Sequence, residues 1–245
     1  MIKRIFICCL LLLTAVYFAV AVTVFNSKPS DRIATELKLV IADSSSYRFI
    51  SDEEVHTLLK KNKLYPVGKK EKDINIRLLE EEIVKHPFVR KAECYLTSSG
   101  NVRIDIDQRI PLIRVMSGNG DDYYIDNEGK IMPARKKAIH VAIASGYIDR
   151  KFAQKELFKL GKYLKKDVFW KSQVQQIHVT QKQDIELVPR AGDHIIFLGK
   201  LENMEEKFRK LRTFYQEGLN HVGWNKYNRI SIEFSNQIIC TKKSK

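Results

Sequence analysis

The sequence predicts an α+β protein with a single N-terminal transmembrane helix. A small domain with the order strand–helix–helix–strand–strand follows, and then a mainly antiparallel β domain with two helices. Three observations predict it: an uncharged apolar run at the N-terminus, apolar spacing that changes from helical to alternating before Pro111, and short strands separated by turns after it. The predicted parts are a stub (1–4), the transmembrane helix (5–25), a stalk (26–36) and the two domains (37–111 and 112–245).

The apolar run from Ile5 to Phe25 is long enough to cross a bilayer, because about 20 helical residues span its hydrocarbon core. Lys3 and Arg4 precede the run without an acidic residue, so the positive-inside rule places the N-terminus in the cytoplasm and both domains outside it. A cleaved signal peptide is the alternative, with Ala19-Val20-Ala21 as the cleavage site. The run continues to Phe25 with no polar region before that site, which favours a retained anchor in the inner membrane.

Composition excludes several classes of protein. Apolar residues make up 44% of the chain, which is typical of packed domains and not of a disordered tail. Beyond the apolar run only Cys94 and Cys240 occur, in different predicted domains, so we expect two unpaired, buried thiols and no disulfide scaffold. The net charge of +14 comes from bases spread over helix faces without aromatic stacking residues among them. That distribution, together with export, argues against nucleic acid as a partner.

The first domain is predicted from helix caps and from periodicity. Ser51 and Glu54 have the spacing of a capping box, which begins a helix. A second helix must end before Pro87, because a residue that precedes proline is disfavoured in helical conformation. The predicted elements are a strand (Leu37–Ala42), a helix from Ser51, a helix (Asn75–Lys85) and two strands (Phe88–Thr97 and Val102–Asp107). We expect a three-stranded sheet with both helices on one face.

The second domain is predicted as short strands interrupted by two helices. The predicted strands are Leu112–Met116, Tyr123–Ile125, Ile139–Ala144, Gln176–Val179, Ile185–Val188 and Ile195–Leu198. The predicted helices are Asp149–Lys166 and Met204–Tyr215. A terminal hairpin closes the chain, with strands Arg229–Phe234 and Gln237–Thr241 around a Ser235-Asn236 turn. A last strand is often an edge strand, which exposes unpaired backbone groups.

No catalytic, cofactor or metal site is predicted. The six histidines lack metal-ligand spacing, and no pair of carboxylates is marked as facing across a cleft. The chain has neither a glycine-rich phosphate loop nor a nucleophile elbow. We therefore predict no enzyme activity and no small-molecule substrate. A membrane-anchored cell-wall hydrolase or transferase, with carboxylates that the sequence does not reveal, stays the alternative. A transport component is disfavoured because no membrane barrel or ATP-binding segment is predicted.

A series of short motifs carries a resemblance to a known family. The motifs are Phe49-Ile50-Ser51, the run Leu79–Ala92, the segment Asp107–Pro111, Tyr124-Ile125-Asp126 with Gly129, and Arg229–Phe234 followed by a second strand. Their order, after a single N-terminal helix, resembles the bacterial cell-division family FtsQ/DivIB, whose members carry a POTRA domain. The chain departs from the family in its short cytoplasmic stub. It also lacks the arginine that the family often has near Ile232-Glu233-Phe234.

The resemblance implies a non-catalytic scaffold that recruits two small single-pass coiled-coil partners, FtsB/DivIC-like and FtsL-like. A partner segment would pair with the last strand by β-augmentation, through backbone hydrogen bonds. Ile238 and Cys240 would lie on one face of this strand, opposite Gln237, Ile239 and Thr241. The expected partner-binding residues are Ile232, Phe234, Gln237, Ile238, Ile239, Cys240 and Thr241. The alternative is an edge strand that Lys242 and Lys243 protect from pairing.

Overall fold

The computed structural model describes residues 2–25, 31–42, 48–135, 139–234 and 236–243. Helix α1 runs from Ile2 to Phe25, and side chains are described for residues 10–21 of it. Within the described part of the chain, no helix combines the length and the hydrophobicity needed to cross a membrane. The transmembrane helix therefore stays a prediction from the sequence. Residues 26–30 of the predicted stalk and Ser235 of the predicted terminal turn lie outside the described residues.

The chain divides into two compact units. The first contains residues 1–42, 50–86 and 91–107, and the second contains residues 43–49, 87–90 and 108–245. The predicted order strand–helix–helix–strand–strand is found before residue 110. Its elements are β1 (Leu37–Ile41), α2 (Asp52–Lys61), a short 3₁₀ turn (Glu71–Asp73), α3 (Ile76–Val84), β2 (Val89–Leu96) and β3 (Val102–Gln108).

Both helices of the first unit begin at side-chain caps. The Ser51 hydroxyl accepts from the N–H of Glu54, and the Glu54 carboxylate accepts from the N–H of Ser51 at 3.0 Å, which confirms the predicted capping box. The side chain of Asn75 caps α3 by accepting from the N–H of Leu78 at 3.0 Å. α3 ends at Val84, before Pro87, as the proline predicts.

The sheet of the first unit has the order β1–β3–β2, and β1 runs parallel to β3. Val102, Ile104 and Ile106 of β3 are buried, while the residues between them are half-buried. The helices contribute their own buried stripes, Val55 and Leu59 on α2 and Leu79 and Ile83 on α3. The N–H of Cys94 on β2 donates to the Glu80 carboxylate at 2.8 Å, which ties the strand to α3.

The second unit is built on one nine-stranded sheet. Its strands are β4 (Pro111–Ser117), β5 (Asp122–Asp126), β6 (Ile131–Pro133), β7 (Ala142–Gly146), β8 (Val174–Val179), β9 (Ile185–Pro189), β10 (Ile195–Gly199), β11 (Tyr227–Ser231) and β12 (Ile239–Lys242). Their order across the sheet is β12–β11–β10–β9–β8–β7–β4–β5–β6. β12 and β6 are therefore the two edge strands.

The sheet is mixed: five of the strand pairs described are antiparallel, in line with the predicted mainly antiparallel domain, and three are parallel, which the sequence did not predict. β7 runs parallel to both β4 and β8, and β10 runs parallel to β11, while the other neighbours are antiparallel. Parallel neighbours require crossover connections, and helices supply them between β7 and β8 and between β10 and β11. The parallel pair of β4 and β7 is connected through β5 and β6 instead. The sequence predicts these helices, but it does not show the direction of the strands that they join.

The helical segments are longer and more interrupted than predicted. The first consists of α4 (Arg150–Phe152), a π-helical turn (Ala153–Leu157), α5 (Phe158–Lys166) and α6 (Val168–Gln173). The second consists of α7 (Met204–Thr213), a π-helical turn (Phe214–Leu219) and α8 (Asn220–Val222). In the second unit, the sequence did not predict β6, which has three residues, or α6. α6 begins anew because the carboxylate of Asp167 accepts from the N–H groups of Phe169 and Trp170.

The helices pack on the sheet around an aromatic cluster. Trp170 lies 5.0 Å from Phe208 and 5.9 Å from Tyr215 between ring centroids. His194 is 2% exposed, and its Nε2 atom forms a hydrogen bond of 2.7 Å with the Tyr215 hydroxyl. Burial is the main cause that lowers the pKa of His194 below its usual value of 6.5. The fold therefore keeps this imidazole neutral inside the core.

A buried ion pair holds the start of the sheet. Asp126, the last residue of β5, is 2% exposed, and the Arg109 guanidinium donates to it at 2.7 Å. The other carboxylate oxygen accepts from the N–H groups of Glu128 and Lys130 at 2.8 Å each, which closes the turn into β6. Gly129 takes a φ of +80° in this turn, a conformation that glycine adopts without strain. Arg109 of the motif Asp107–Pro111 and Asp126 of the motif Tyr124-Ile125-Asp126 thus form one ion pair.

The ion pair leads to a prediction about stability. Asp126→Asn leaves the Arg109 guanidinium without its counter-ion, and we expect it to lower the unfolding free energy of the second unit by about 3 kcal/mol. Urea unfolding followed by the fluorescence of Trp170 and Trp224, both in this unit, measures the change. The control is Asp122→Asn, which breaks the more exposed pair with Arg114 and should cost about 1 kcal/mol or less. Equal losses in both variants would contradict the special role of Asp126.

His194 leads to a prediction about pH. Because its pKa is lowered in the folded state, the unfolded chain binds more protons as the pH falls below 6.5, and the second unit loses stability there. The contribution of His194 is fully present above pH 6.5. We expect His194→Gln to remove this part of the pH dependence, and the exposed control His221→Gln to keep it. Urea midpoints from about pH 5 to 8 measure the difference, and parallel curves for wild type and His194→Gln would refute the assignment.

Candidate partner-binding edge

The predicted terminal hairpin is present, with different strand ends. β11 pairs antiparallel with β12, with Ile230 opposite Cys240 and Ser231 opposite Ile239. β11 begins at Tyr227 and ends at Ser231, and β12 begins only at Ile239, so both strands are shifted from their predicted bounds. Among the described residues, no strand pairs with the outer side of β12. Alternate backbone N–H and C=O groups of such an edge strand point away from the sheet and can bond a further strand.

The side chains of the last strand alternate between the core and the solvent. Ile238 and Cys240 are half-buried and pack against the core of the unit. Gln237, Ile239 and Thr241 are exposed, and Ile239 keeps 45% of its surface accessible. The inner residues thus fix the strand on the sheet, while the outer ones are open to a partner.

Two of the predicted partner-binding residues, Ile232 and Phe234, precede β12 and differ in their exposure. Ile232 is 1% exposed, and its N–H donates to the carbonyl of Phe197 at 2.9 Å, so it is a core residue that a partner does not reach in this structure. Phe234 lies in the connection to β12 and is 48% exposed. Ile232 lies two residues after buried Ile230, so strand alternation places it on the core face, and the chain continues along β10 there.

Charged groups beside the edge are largely paired. Arg229 donates to Glu186 at 2.8 Å and lies 4.3 Å from the centroid of the Phe197 ring. Lys243 pairs with Asp193 at 3.2 Å, so one of the two lysines expected to protect the edge is engaged elsewhere. Lys242 is exposed at the end of β12.

The structure adds a groove that the sequence does not predict. It has a volume of about 690 Å³ and lies where Asn236, Gln237 and Ile238 lead into β12, opposite Arg209 and Phe214 on the second helical segment. The sequence missed it because the helix was predicted to end at Tyr215, whereas it continues to Val222. The groove gives side chains of an added strand room next to the edge.

Several carboxylates of the chain form ion pairs with neighbouring arginines. Asp122 accepts two hydrogen bonds from Arg114, which lower its pKa and keep it ionised. Asp105 pairs with Arg103 at 2.9 Å, and Glu81 pairs with Arg77 at 2.9 Å. An ionised carboxylate with a fixed counter-ion is unsuited to act as a general acid.

Metal ligands are not assembled in the described part of the chain. No group of three or more His, Cys, Asp or Glu side chains there is placed to hold a metal ion. Cys94 and Cys240 are free thiols. Burial raises the pKa of Cys94 to about 12 and raises that of Cys240 as well, which makes both poor nucleophiles.

The fold defines a class of protein: a small POTRA-type domain followed by a mixed-sheet domain that ends in an exposed edge. Comparison with family models agrees, because residues 32–107 match the POTRA-like domain. Residues 110–241, more than half of the chain, match the model described as FtsQ/DivIB, C-terminal related. The chain therefore belongs to the FtsQ/DivIB family, as its motifs predict. A comparison with curated proteins finds no match. The domains of this family imply a scaffold of cell division, and the family is generally non-catalytic.

The orientation of the last strand can be tested with thiol chemistry. Cys240 faces the core, so maleimide should label it slowly, while a cysteine introduced by Ile239→Cys should react about ten times faster or more because its thiol is exposed. Labelling of the full chain over time, with peptide mass spectrometry to locate each label, gives both rates in one sample. Buried Cys94 serves as the slow internal reference. Equal rates at 239 and 240 would contradict the alternation of faces.

Proposed function

We propose that this chain is a non-catalytic scaffold of the bacterial division machinery, anchored in the inner membrane by residues 5–25. The apolar run and the two bases before it support an anchor with a cytoplasmic N-terminus. Both units then lie on the extracytoplasmic side. Membership of the FtsQ/DivIB family supports this arrangement, since its members are membrane-anchored division proteins with an extracytoplasmic domain.

The outer edge of β12 is the proposed binding site for the FtsB/DivIC-like and FtsL-like partners. The observation that carries this proposal is an unpaired edge strand that displays Ile239, with exposed Phe234 close by in sequence. A partner segment would extend the sheet beyond β12 by backbone hydrogen bonds, each contributing about 0.5–1.5 kcal/mol. Burial of the exposed side chain of Ile239 adds about 1 kcal/mol.

Selectivity would come from the side chains around the strand. The backbone of an edge accepts many sequences, so the exposed apolar residues and the groove beside Gln237 and Ile238 have to distinguish the partner. Ile232 has no direct part in this contact because it is buried. It supports the site by fixing the chain after β11 to Phe197.

Co-purification from gently solubilised native membranes tests the proposal. Affinity-tagged wild type should bring down small single-pass coiled-coil proteins, and Ile239→Glu should reduce their recovery about tenfold or more, because a charge on an edge strand opposes pairing. Met116→Glu is the matched control: Met116 is 44% exposed on β4, away from the edge, and its variant should keep the partners. The fold of each variant is checked by circular dichroism.

Other outcomes would contradict parts of the proposal. If Ile239→Glu retains the partners, the scaffold function holds but the binding site lies elsewhere. If wild type brings down no such proteins and the preparation degrades cell wall, the scaffold assignment fails and the hydrolase alternative gains support.

A further inference from the structure

A second groove opens on the second unit, far from β12. It has a volume of about 620 Å³ and lies at the amino ends of β4, β7 and β8, between α5 and α6. Leu112, Val141 and Leu164 give it apolar walls. β7 is five strands from β12 in the sheet order, about 24 Å at the usual strand spacing, so the two sites are separate. The volume is in the range of sites that hold ligands of several hundred daltons.

Three cations and no carboxylate line the groove among the described residues. The cations are Lys165, Lys171 and Arg190, all exposed, and exposed His140 lies beside them. Elsewhere in this unit arginines face acids, as Arg109 faces Asp126. No carboxylate is found within ion-pair distance of Lys171 or Arg190 in the part of the chain that the structure describes. An unbalanced set of cations in a concave site attracts an anion.

Lys165 shows the effect of this crowding. Its amine donates to the side chain of Asn127 at 2.8 Å, a neutral acceptor. Burial, and then the nearby charges of Lys171 and Lys162, lower the pKa of Lys165. Like charges that face one groove repel each other, and a bound anion would reduce that repulsion.

The polar groups on the walls favour a peptide over a lipid as the anion. Ser172, Gln175 and Gln176 line the groove with a hydroxyl and two amides. A peptide backbone uses such donors and acceptors along its length, whereas an acyl chain would leave them unpaired. We propose that this groove binds a short acidic segment of a protein partner. Its carboxylates contact Lys165, Lys171 and Arg190, and an apolar side chain packs against half-buried Val141. The contact is independent of the β12 edge.

Selection of peptides on the full chain in detergent solution tests the proposal. A displayed library of random 12-residue peptides is selected on wild type, and the enriched peptides are measured by fluorescence anisotropy. We expect the enriched peptides to contain acidic and apolar residues. Lys171→Glu/Arg190→Glu should bind them at least about ten times more weakly than wild type does. The neutral variant Lys171→Gln/Arg190→Gln should weaken the binding less, and about 0.3 M salt should weaken it in wild type.

Matched variants separate this groove from general charge effects and from the edge. Lys151→Glu/Lys182→Glu makes the same change in net charge at exposed lysines outside the groove, and Ile239→Glu alters the edge. Both should keep the peptide affinity of wild type. The proposal would be overturned if the enriched peptides lacked acidic residues. It would also be overturned if the two charge-reversed variants lost peptide affinity equally. A third outcome would also overturn it: wild type binds dihexanoylphosphatidylglycerol but no peptide, and Lys171→Glu/Arg190→Glu loses the lipid binding. That outcome would assign the groove to a lipid head group.

Discussion

The buried carboxylate of Asp126 is the constraint on which the second unit depends. A carboxylate at 2% exposure is tolerated only when a counter-ion and hydrogen-bond donors surround it, and Arg109 and two backbone N–H groups supply them. The N–H of Asn127 also donates to the carbonyl of Ile110. These contacts fix the chain where β4 begins. Because β4 pairs with both β5 and β7, its placement joins the β4–β6 strands to the rest of the sheet.

The exposed edge is a consequence of how the sheet is completed. The long helical connection after β10 returns the chain parallel to it as β11, and β12 then pairs with β11 on the outside of the sheet. Half-buried Ile238 and Cys240 hold that last strand against the core, so its outer side can stay open without loss of the fold. A scaffold needs such a rigid surface with unused backbone groups, and it needs no reactive side chains.

Local signals made the first unit predictable. Ser51 and Glu54 are three residues apart and meet in the same turn, and Pro87 limits α3 by its own geometry. Alternation along β11 places Ile232 on the same buried face as Ile230, so its burial follows from the local pattern. Tertiary contacts decided what the sequence missed. The parallel strand pairs, and the cations that gather in the second groove, come from segments far apart in the chain, so no short-range pattern reveals them.

Hydrogen–deuterium exchange tests the central claim, the use of the β12 edge, most directly. The full chain is measured alone and with its purified FtsB/DivIC-like partner. The backbone amides of residues 239–242 are compared with those of Ile131 and Met132 on β6, the opposite edge strand. The account predicts that exchange slows at β12, because its outward N–H groups become hydrogen-bonded, and stays unchanged at β6. Unchanged exchange at β12 in the saturated complex, or protection at β6 in its place, would contradict it.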